Sequence, residues 1–213
     1  MSILTIKSIL EQAIADMPGL IPSVAIEASN NGEFQTAEPH GLVNGLVVEV
    51  SGHTGSVPDL NGEYYVVVTA ANRFKLQHIL TKTPIASAAP GVGGVIIAKL
   101  IAWEGVNFKP FAGVPMQRVN LIWSQPQNPS YGDNLARESG FMQVTLYYPL
   151  GFGTHDVLTR AQLIKSTFPR GHSFSNNGIT VHIDGTAEIM GGVPLEEHYV
   201  VPVRIPFWAD VYN

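Results

Sequence analysis

The amino-acid sequence predicts an α+β protein, in which an antiparallel or mixed sheet with two helices is interrupted by an all-β insertion domain. Two segments, one at the N-terminus and one around residue 160, place apolar residues at helical spacing. Between them, residues 23–98 alternate short β-like runs with turn signals and lack a helical period. We therefore predict an outer domain formed by residues 1–22 and 99–213, and an inserted small β-domain formed by residues 23–98.

The two predicted helices have recognisable ends. In the first, apolar residues recur at steps of three and four from Ile3 to Met17, and Pro18-Gly19 ends the pattern. The second follows Thr154, a suitable N-cap residue, and its apolar stripe closes at Phe168 before a proline and a glycine. We expect each helix to pack one face against the sheet.

The inserted segment is predicted to contain about five strands. Turn signals such as Asn30-Asn31-Gly32 and Asn61-Gly62 separate its apolar runs, and Asn-Gly supplies the positive φ that tight hairpins need. His40 and His53 are expected to be turn residues and not metal ligands. The predicted strands are 24–28, 45–50, 63–69, 73–77 and 94–98.

The outer segment is predicted to contain four main strands, at 115–123, 140–148, 179–183 and 198–207. The last carries Pro202 and Pro206 at the same parity, and a strand tolerates proline only where the missing N–H faces outward. This pattern predicts an edge strand. Either its open side pairs with another chain, or the prolines prevent such pairing.

Composition favours an assembly protein that exposes little charge. Charged residues make up 14% of the chain, whereas about a quarter is usual in a soluble domain. Surface buried against copies or a partner would account for this, and so would a monomer with a polar Ser, Thr and Asn surface. The net charge is −5 and Lys and Arg form no cluster, so the chain lacks the basic footprint of a nucleic-acid-binding protein.

Catalytic, metal and membrane signals are missing from the sequence. Without cysteine, disulfides, thiolate catalysis and cysteine-based zinc sites are excluded. The N-terminus does not resemble a signal peptide, and no apolar run reaches the length of about 18 residues that predicts a membrane span. The seven histidines show no H-x-x-x-H spacing, and chance explains the pairing of His182 with Asp184 two residues later. We predict a protein that is not an enzyme, with no catalytic residue, cofactor or metal ion.

Seven segments follow the first helix in a characteristic order. They are Ile101-Ala102-Trp103-Glu104, Phe108-Lys109-Pro110-Phe111, the strands at 117–123 and 140–148, Phe168-Pro169-Arg170-Gly171, and the strands at 179–184 and 199–207. In this order, and above all in the closing Val-Pro-Val-x-Ile-Pro-aromatic run, the outer domain resembles the tail terminator proteins of long-tailed phages, including the lambda-like type.

The predicted insertion resembles a small β-module of phage tail and structural proteins. Typical tail terminators lack such an insertion. The segments that carry this resemblance are Pro39-His40-Gly41-Leu42, Gly45-Leu46-Val47-Val48, Ser51-Gly52-His53-Thr54-Gly55, residues 60–67 and Phe74-Lys75-Leu76.

The tail-terminator resemblance implies a homohexameric ring that caps the head-proximal end of the tail tube and stops tube polymerisation. Such a ring would contact the tail tube protein on one face and a head–tail connector or stopper protein on the other. DNA would pass through the lumen without specific binding, so we expect an acidic or neutral lumen wall. The protein would reside in the tail or neck of the virion, assemble in the host bacterial cytoplasm and contact no membrane.

Two sets of residues are candidates for contacts in such a ring. A long polar loop at 124–139 is predicted to reach the tube or connector, although a mobile loop without a partner is the alternative. Its candidate contact residues are Tyr131, Asp133, Asn134 and Arg137. Aromatic residues are predicted to pack between subunits, with core burial as the alternative for each. These candidates are Phe108, Phe111, Trp123, Phe207 and Trp208.

Two other functions are compatible with the sequence. One is another neck or tail component, such as a head-completion or tail tube protein, which position in the virion would distinguish. The other is a host-surface carbohydrate-binding module. That function needs a groove of exposed Tyr and Trp in the insertion, which has Tyr64 and Tyr65 but no Trp.

Overall fold

The fold is mostly β, with 47% of residues in strands and 13% in helices. We describe it from a computed structural model that covers residues 2–106, 108–129 and 134–212. The predicted α+β fold is therefore wrong. There are only two helices in the described residues, and the strands form a six-stranded barrel and an open half-barrel. Closure of the barrel depends on pairing between strands that lie far apart in the chain. The local periodicity of the sequence does not reveal such pairing.

The chain forms two compact units. The outer unit comprises Met1–Met17 and Ile101–Asn213, and the barrel unit comprises Pro18–Leu100. That the barrel unit folds independently, as an insertion domain bounded near residues 23 and 98, stays a prediction.

The barrel unit contains seven strands. Six of them close a ring in the order β1-β2-β5-β4-β3-β7 and back to β1, and β6 pairs with β1 at the margin. The strands are β1 Val24–Asn30, β2 Glu33–Thr36, β3 Val47–Ser51, β4 Gly62–Ala70, β5 Arg73–His78, β6 Gly91–Val92 and β7 Val95–Ala98.

Aromatic side chains fill the centre of the barrel unit. Phe34 and Phe74 are fully buried, and their rings stack at 5.3 Å with an interplanar angle of 9°. The turn before β2 holds Asn31 and Gly32 at φ values of 48° and 73°, which confirms the predicted hairpin turn.

The outer unit contains both helices and eight strands around one long antiparallel pair. Sheet order is β11-β12-β15-β10-β9-β8, and β13 and β14 also pair with β15. The elements are α1 Ser2–Ala15, β8 Ile101–Ala102, β9 Met116–Trp123, β10 Leu135–Pro149, α2 His155–Thr167, β11 Ser173–Asn176, β12 Ile179–Ile183, β13 Glu188–Ile189, β14 Val193–Leu195 and β15 His198–Tyr212.

Both helices pack on one face of the half-barrel, as the sequence predicts. Ile6 and Leu10 of α1 and Ile164 of α2 are fully buried in the same apolar core as alternate residues of β10 and β15. Thr154 is the N-cap residue of α2, but its side chain makes no capping hydrogen bond. Within the described residues, neither helix has the length and apolarity that a membrane span requires.

The last strand lies inside the sheet, so the predicted edge position is wrong. Strand β15 pairs with β10 on one side and with three short strands on the other. The carbonyls of Pro202 and Pro206 accept hydrogen bonds from the N–H groups of Met190 and Asp184, at 2.9 and 3.0 Å. In an antiparallel strand the N–H and C=O of a residue point to the same side. The two prolines, which lack an N–H group, therefore face the gaps between the short partner strands. One continuous partner strand would have needed a hydrogen bond from each of them.

Candidate docking surfaces

The β10–β15 pair presents two chemically different ends. Each strand has 15 residues, and they pair from Leu135 opposite Tyr212 to Pro149 opposite His198. At about 3.3 Å per residue, the two ends lie about 45 Å apart along the strands. We call Asn134, Arg137, Asp210 and Tyr212 the polar end, and we call Leu150, Phe152, Val193 and Leu195 the apolar end.

A cross-strand ion pair organises the polar end. The Arg137 guanidinium donates from Nε and Nη2 to the two carboxylate oxygens of Asp210, both at 2.8 Å. These hydrogen bonds lower the pKa of Asp210 below its ordinary value. The pair fixes the direction of both side chains without removing them from solvent, since each is about one third exposed.

Arg137 also belongs to a stacked column of side chains on three adjacent strands. Its guanidinium carbon lies 4.1 Å from the ring centroid of Trp208, and His182 stacks on Trp208 at 4.2 Å with an interplanar angle of 24°. Ser173 Oγ and His182 Nδ1 share a hydrogen bond of 2.7 Å. Sequence spacing placed His182 beside Asp184, whereas its main contact is a tryptophan 26 positions away along the chain.

The four residues predicted to contact the tube or connector are only partly visible. Tyr131 and Asp133 lie outside the described residues. Asn134 is exposed just before β10, and Arg137 is held in the column two residues into the strand. The structure therefore brings two of the four candidates to the polar end, and their contact role stays a prediction.

The apolar end exposes large side chains in a short loop. Phe152 is 80% exposed and Leu150 is 42% exposed, although both are apolar. Gly151 and Gly153 flank Phe152 at φ values of 94° and 78°, a backbone conformation that favours glycine. Sequence analysis missed this site, and the signal that could have found it is an aromatic residue between two glycines.

Backbone contact joins this loop to the β14–β15 hairpin. The Leu150 N–H donates to the Glu197 carbonyl at 3.0 Å. Val193 and Leu195 of the hairpin are each more than half exposed, so large apolar side chains are exposed on both segments. Exposed apolar side chains on two joined segments are candidates for a contact site.

All five of the predicted subunit-interface aromatics contact residues of their own chain. Phe108 packs on Tyr147 with ring centroids 4.9 Å apart. The carbonyl of Phe111 accepts a hydrogen bond of 3.0 Å from His198 Nε2. Trp123 meets Phe207 edge to face at 5.4 Å.

The remaining two differ in exposure. Phe207 is 1% exposed and lies in the core of the outer unit, so its ring packs inside its own chain. Trp208 is half-buried in the column described above. Whether the partly exposed aromatics contact a second copy stays a prediction.

A buried serine–histidine cluster lies in the barrel unit. His53 Nδ1 contacts the Gly93 carbonyl at 2.8 Å, so it carries the proton because a carbonyl only accepts. Its Nε2 then accepts from Ser29 Oγ at 2.8 Å or Ser56 Oγ at 2.9 Å. Ser29 and His53 are almost fully buried, so the cluster fastens the loop after β3 to β1. The expectation that His53 is merely a turn residue missed this packing role.

The other predicted histidine is also built into the barrel. His40 is 4% exposed and meets Phe74 edge to face at 5.4 Å. Its Nε2 lies 3.2 Å from the Ala70 carbonyl oxygen. Over the part of the chain that the structure describes, no three His, Asp or Glu side chains come close enough to hold a metal ion.

The barrel unit does not assemble the aromatic groove that carbohydrate binding would need from its tyrosines. Tyr64 and Tyr65 are neighbours in β4, so their side chains point to opposite faces. A cleft of about 380 Å³ does open on this unit, but polar and small residues line it. They are Ala28, Ser29, Asn30, Asn31, Glu33, Gln35, Arg73 and Lys75.

Comparison with known proteins identifies the family. The family model described as phage tail terminator protein matches residues 96–207, more than half of the chain. The chain belongs to the phage tail terminator protein family. It is a structural component of a phage tail, and so a component of the virion.

Two further comparisons add little. No curated protein matches the chain. One solved structure is 19% identical over 53% of this chain and 80% of its own, with a TM-score of 0.44. A likeness at that level carries no argument about fold or function.

Proposed function

We propose that this protein caps the head-proximal end of the phage tail tube as a homohexameric ring. The ring stops tube polymerisation and offers its free face to the head-side connector or stopper protein. Family membership supports the tail role. The observation that carries the finer proposal is that the β10–β15 strand pair has two unlike ends.

The apolar end is suited to the permanent contact with the tube. Burying one phenylalanine side chain is worth about 2 kcal/mol, and a sixfold ring would repeat that gain at every copy of Phe152. The polar end is suited to a later contact made in water, because Asn134 and the Arg137–Asp210 pair keep hydrogen-bonding groups exposed. We therefore assign the apolar end to the tube and the polar end to the connector.

Unlike ends also explain how growth would stop. A second ring could stack on the first only if the apolar end of one fitted the polar end of the other. Burying the Arg137–Asp210 pair under Phe152 would take both charges out of water, and this desolvation costs free energy even though the two groups pair with each other. One layer would therefore be added and no more.

The charge balance suits passage of DNA through the ring. The net charge is −5 and Lys and Arg form no cluster, so a DNA phosphate backbone would not be held. A ring lumen lined with Arg and Lys, imaged in the assembled neck, would contradict this part of the proposal.

A tube-length assay tests the cap. Purified tail tube protein is polymerised with and without this protein, and tube lengths are measured by electron microscopy. We expect the wild-type protein to shorten the tubes and Phe152→Ser to leave them long. Leu80→Ser is the matched control, because Leu80 is 94% exposed in the barrel unit. Tubes that grow past the wild-type protein, or full capping by Phe152→Ser, would refute the proposal.

Head joining tests the assignment of the polar end. Tyr212 is 77% exposed there, so Tyr212→Ser should fold normally. We expect this variant to cap tubes but to join fewer of them to heads. Loss of capping with normal joining would reverse the two assignments.

A further inference from the structure

We infer that Asn177 is a site of spontaneous covalent modification, where the folded chain converts an asparagine to aspartate and isoaspartate without an enzyme. This site is independent of the proposed function. It belongs to a short repeat in the sequence, because Ser-Asn-Asn-Gly occurs at 29–32 in the barrel unit and again at 175–178 in the outer unit. Two copies of one tetrapeptide in different surroundings separate the effect of the fold from the effect of local sequence.

The reaction needs an asparagine whose side chain can be reached by the next backbone nitrogen. That nitrogen attacks Cγ of the asparagine, and the new N–C bond closes a succinimide ring. The side-chain nitrogen leaves as ammonia, with the proton that the backbone nitrogen has lost. Water then opens the ring at either carbonyl and leaves aspartate or isoaspartate. A following glycine favours the attack, because it has no Cβ in the path and its backbone is the least restricted.

Hydrogen bonds hold two of the four Asn-Gly pairs away from this reaction. Asn44 Oδ1 accepts a hydrogen bond of 2.7 Å from the Val68 N–H, and the Gly45 N–H donates one of 2.8 Å to the backbone of β4. Asn61 Oδ1 accepts one of 2.9 Å from the His53 N–H, and Asn61 Nδ2 donates one of 2.8 Å to the His53 carbonyl. Each of these pairs must break hydrogen bonds before it can react. The four asparagines are at positions 31, 44, 61 and 177.

The other two pairs belong to the repeat and adopt the same turn. The φ values are 48° and 73° at Asn31-Gly32, and 49° and 77° at Asn177-Gly178. Each pair forms the two-residue loop of a hairpin, the first between β1 and β2 and the second between β11 and β12. Within the described residues, neither asparagine side chain makes a hydrogen bond. Local sequence and local geometry alone would therefore predict equal reactivity.

The surroundings of the two turns differ at the glycine. Gly32 is buried, and a Cβ atom added to it would collide with the Ile85 carbonyl oxygen. Ile85 is held in place because its N–H donates a hydrogen bond of 3.0 Å to the Leu76 carbonyl. Gly178 is exposed and has no atom within 4 Å of an added Cβ. Its backbone can therefore rotate toward Asn177 and lose its proton to solvent base, whereas Gly32 must first leave its cover.

Conversion would alter the hairpin that carries Asn177. A carboxylate would replace a neutral amide at the end of β11, the last strand of its sheet. Isoaspartate also adds a methylene group to the backbone, so the two-residue loop would no longer match the pairing of Asn176 with Ile179. The modified turn joins the two strands that carry Ser173 and His182 of the stacked column.

Mass spectrometry of the aged protein tests the inference. The folded full-length chain is incubated in warm, mildly alkaline buffer and digested, and each Asn-Gly site is scored by the mass gained when NH2 becomes OH. Fragmentation of the peptides assigns the site, and labelling with an isoaspartyl methyltransferase identifies isoaspartate. We expect Asn177 to convert at least about tenfold faster than Asn31, because uncovering Gly32 requires a local opening that costs free energy. Asn44 and Asn61 should also convert more slowly than Asn177.

Unfolding supplies the matched control. In concentrated guanidinium chloride both copies of the tetrapeptide lose their surroundings, so Asn31 and Asn177 should convert at rates within about twofold of each other. In the folded protein, Asn177→Ser should abolish the fast conversion and leave the slow conversion of the other three asparagines unchanged.

Three results would overturn the inference. One is conversion of Asn31 in the folded protein at a rate equal to or above that of Asn177. Another is no conversion of folded Asn177 under conditions in which the denatured chain reacts. The third is a difference between Asn31 and Asn177 that persists in denaturant, since the local sequences and not the fold would then set the rates. These measurements need neither tubes nor heads, so the proposed function can fail or stand separately.

Discussion

Replacing Gly91 by alanine should destabilise the barrel unit by about 3 kcal/mol. Gly91 is buried in β6, against the serine–histidine cluster. A Cβ atom at this position would lie 2.8 Å from the Thr54 carbonyl oxygen, and closer still to Ser56 Oγ and His53 Nε2. Real Cβ atoms do not approach other atoms so closely, so the cluster must move.

The magnitude follows from what that movement would break. Displacing His53 removes the hydrogen bond that its Nδ1 donates to the Gly93 carbonyl and the one that its Nε2 accepts from a serine hydroxyl, worth about 1 kcal/mol each. Overpacking in a well-packed interior adds about 1 to 3 kcal/mol. Backbone strain contributes little, because Gly91 does not adopt a positive φ.

The assay must distinguish the two units. All three tryptophans, Trp103, Trp123 and Trp208, lie in the outer unit, so tryptophan fluorescence during urea unfolding reports on that unit. Hydrogen exchange of β4 and β5 amides reports on the barrel unit. For Gly91→Ala we expect protection of those amides to fall while the tryptophan transition stays as an internal reference.

A neighbouring glycine supplies the matched control. Gly93 has a φ of 70° and no atom within 4 Å of an added Cβ. Gly93→Ala should therefore cost only the strain of a left-handed alanine, about 1 kcal/mol. The reasoning fails if Gly91→Ala costs no more than Gly93→Ala, or if Ser56→Ala leaves the cost of Gly91→Ala unchanged.

Two further predictions concern the outer unit. Because Arg137 lowers the pKa of Asp210, the pair should stabilise the fold above about pH 4, the ordinary aspartate value, and this stability should disappear as pH falls through the lower folded pKa. Urea unfolding of Asp210→Asn should therefore differ from wild type at pH 7 and converge with it at acid pH, and a constant difference would contradict the pair's role. Gly140→Ala would press a Cβ against the Ile122 carbonyl oxygen, so it should lower the free energy of unfolding by about 3 kcal/mol. The tryptophan transition should therefore move to lower urea concentration. Gly191→Ala meets no atom within 4 Å and should change stability by less than about 0.5 kcal/mol.

Local sequence signals predicted the elements that depend on neighbouring residues. Both helices were predicted because periodicity of three and four residues is a local property, and the Asn31-Gly32 turn because positive φ is a property of those residue types. The order of motifs in the outer segment identified the family that the comparison confirms.

Long-range pairing decided what those signals could not. Strand β15 was predicted at an edge because Pro202 and Pro206 lack N–H groups. In the structure, three short strands pair with that side of β15, and the gaps between them lie opposite the two prolines. The fold class was wrong for the same reason, since closure of a barrel requires β1 to pair with both β2 and β7. No window of local sequence contains that information.

The sequence by itself determined the helices, the tight turns, the low charge and the family. Only the tertiary structure decided which side chains lie together. It placed Trp208 against Arg137 and His182, joined His53 to Ser29, and set Leu150 beside the Glu197 turn. The physical reason is that each contact joins strands or loops far apart in the chain. Its existence depends on sheet order and register, which the whole fold sets.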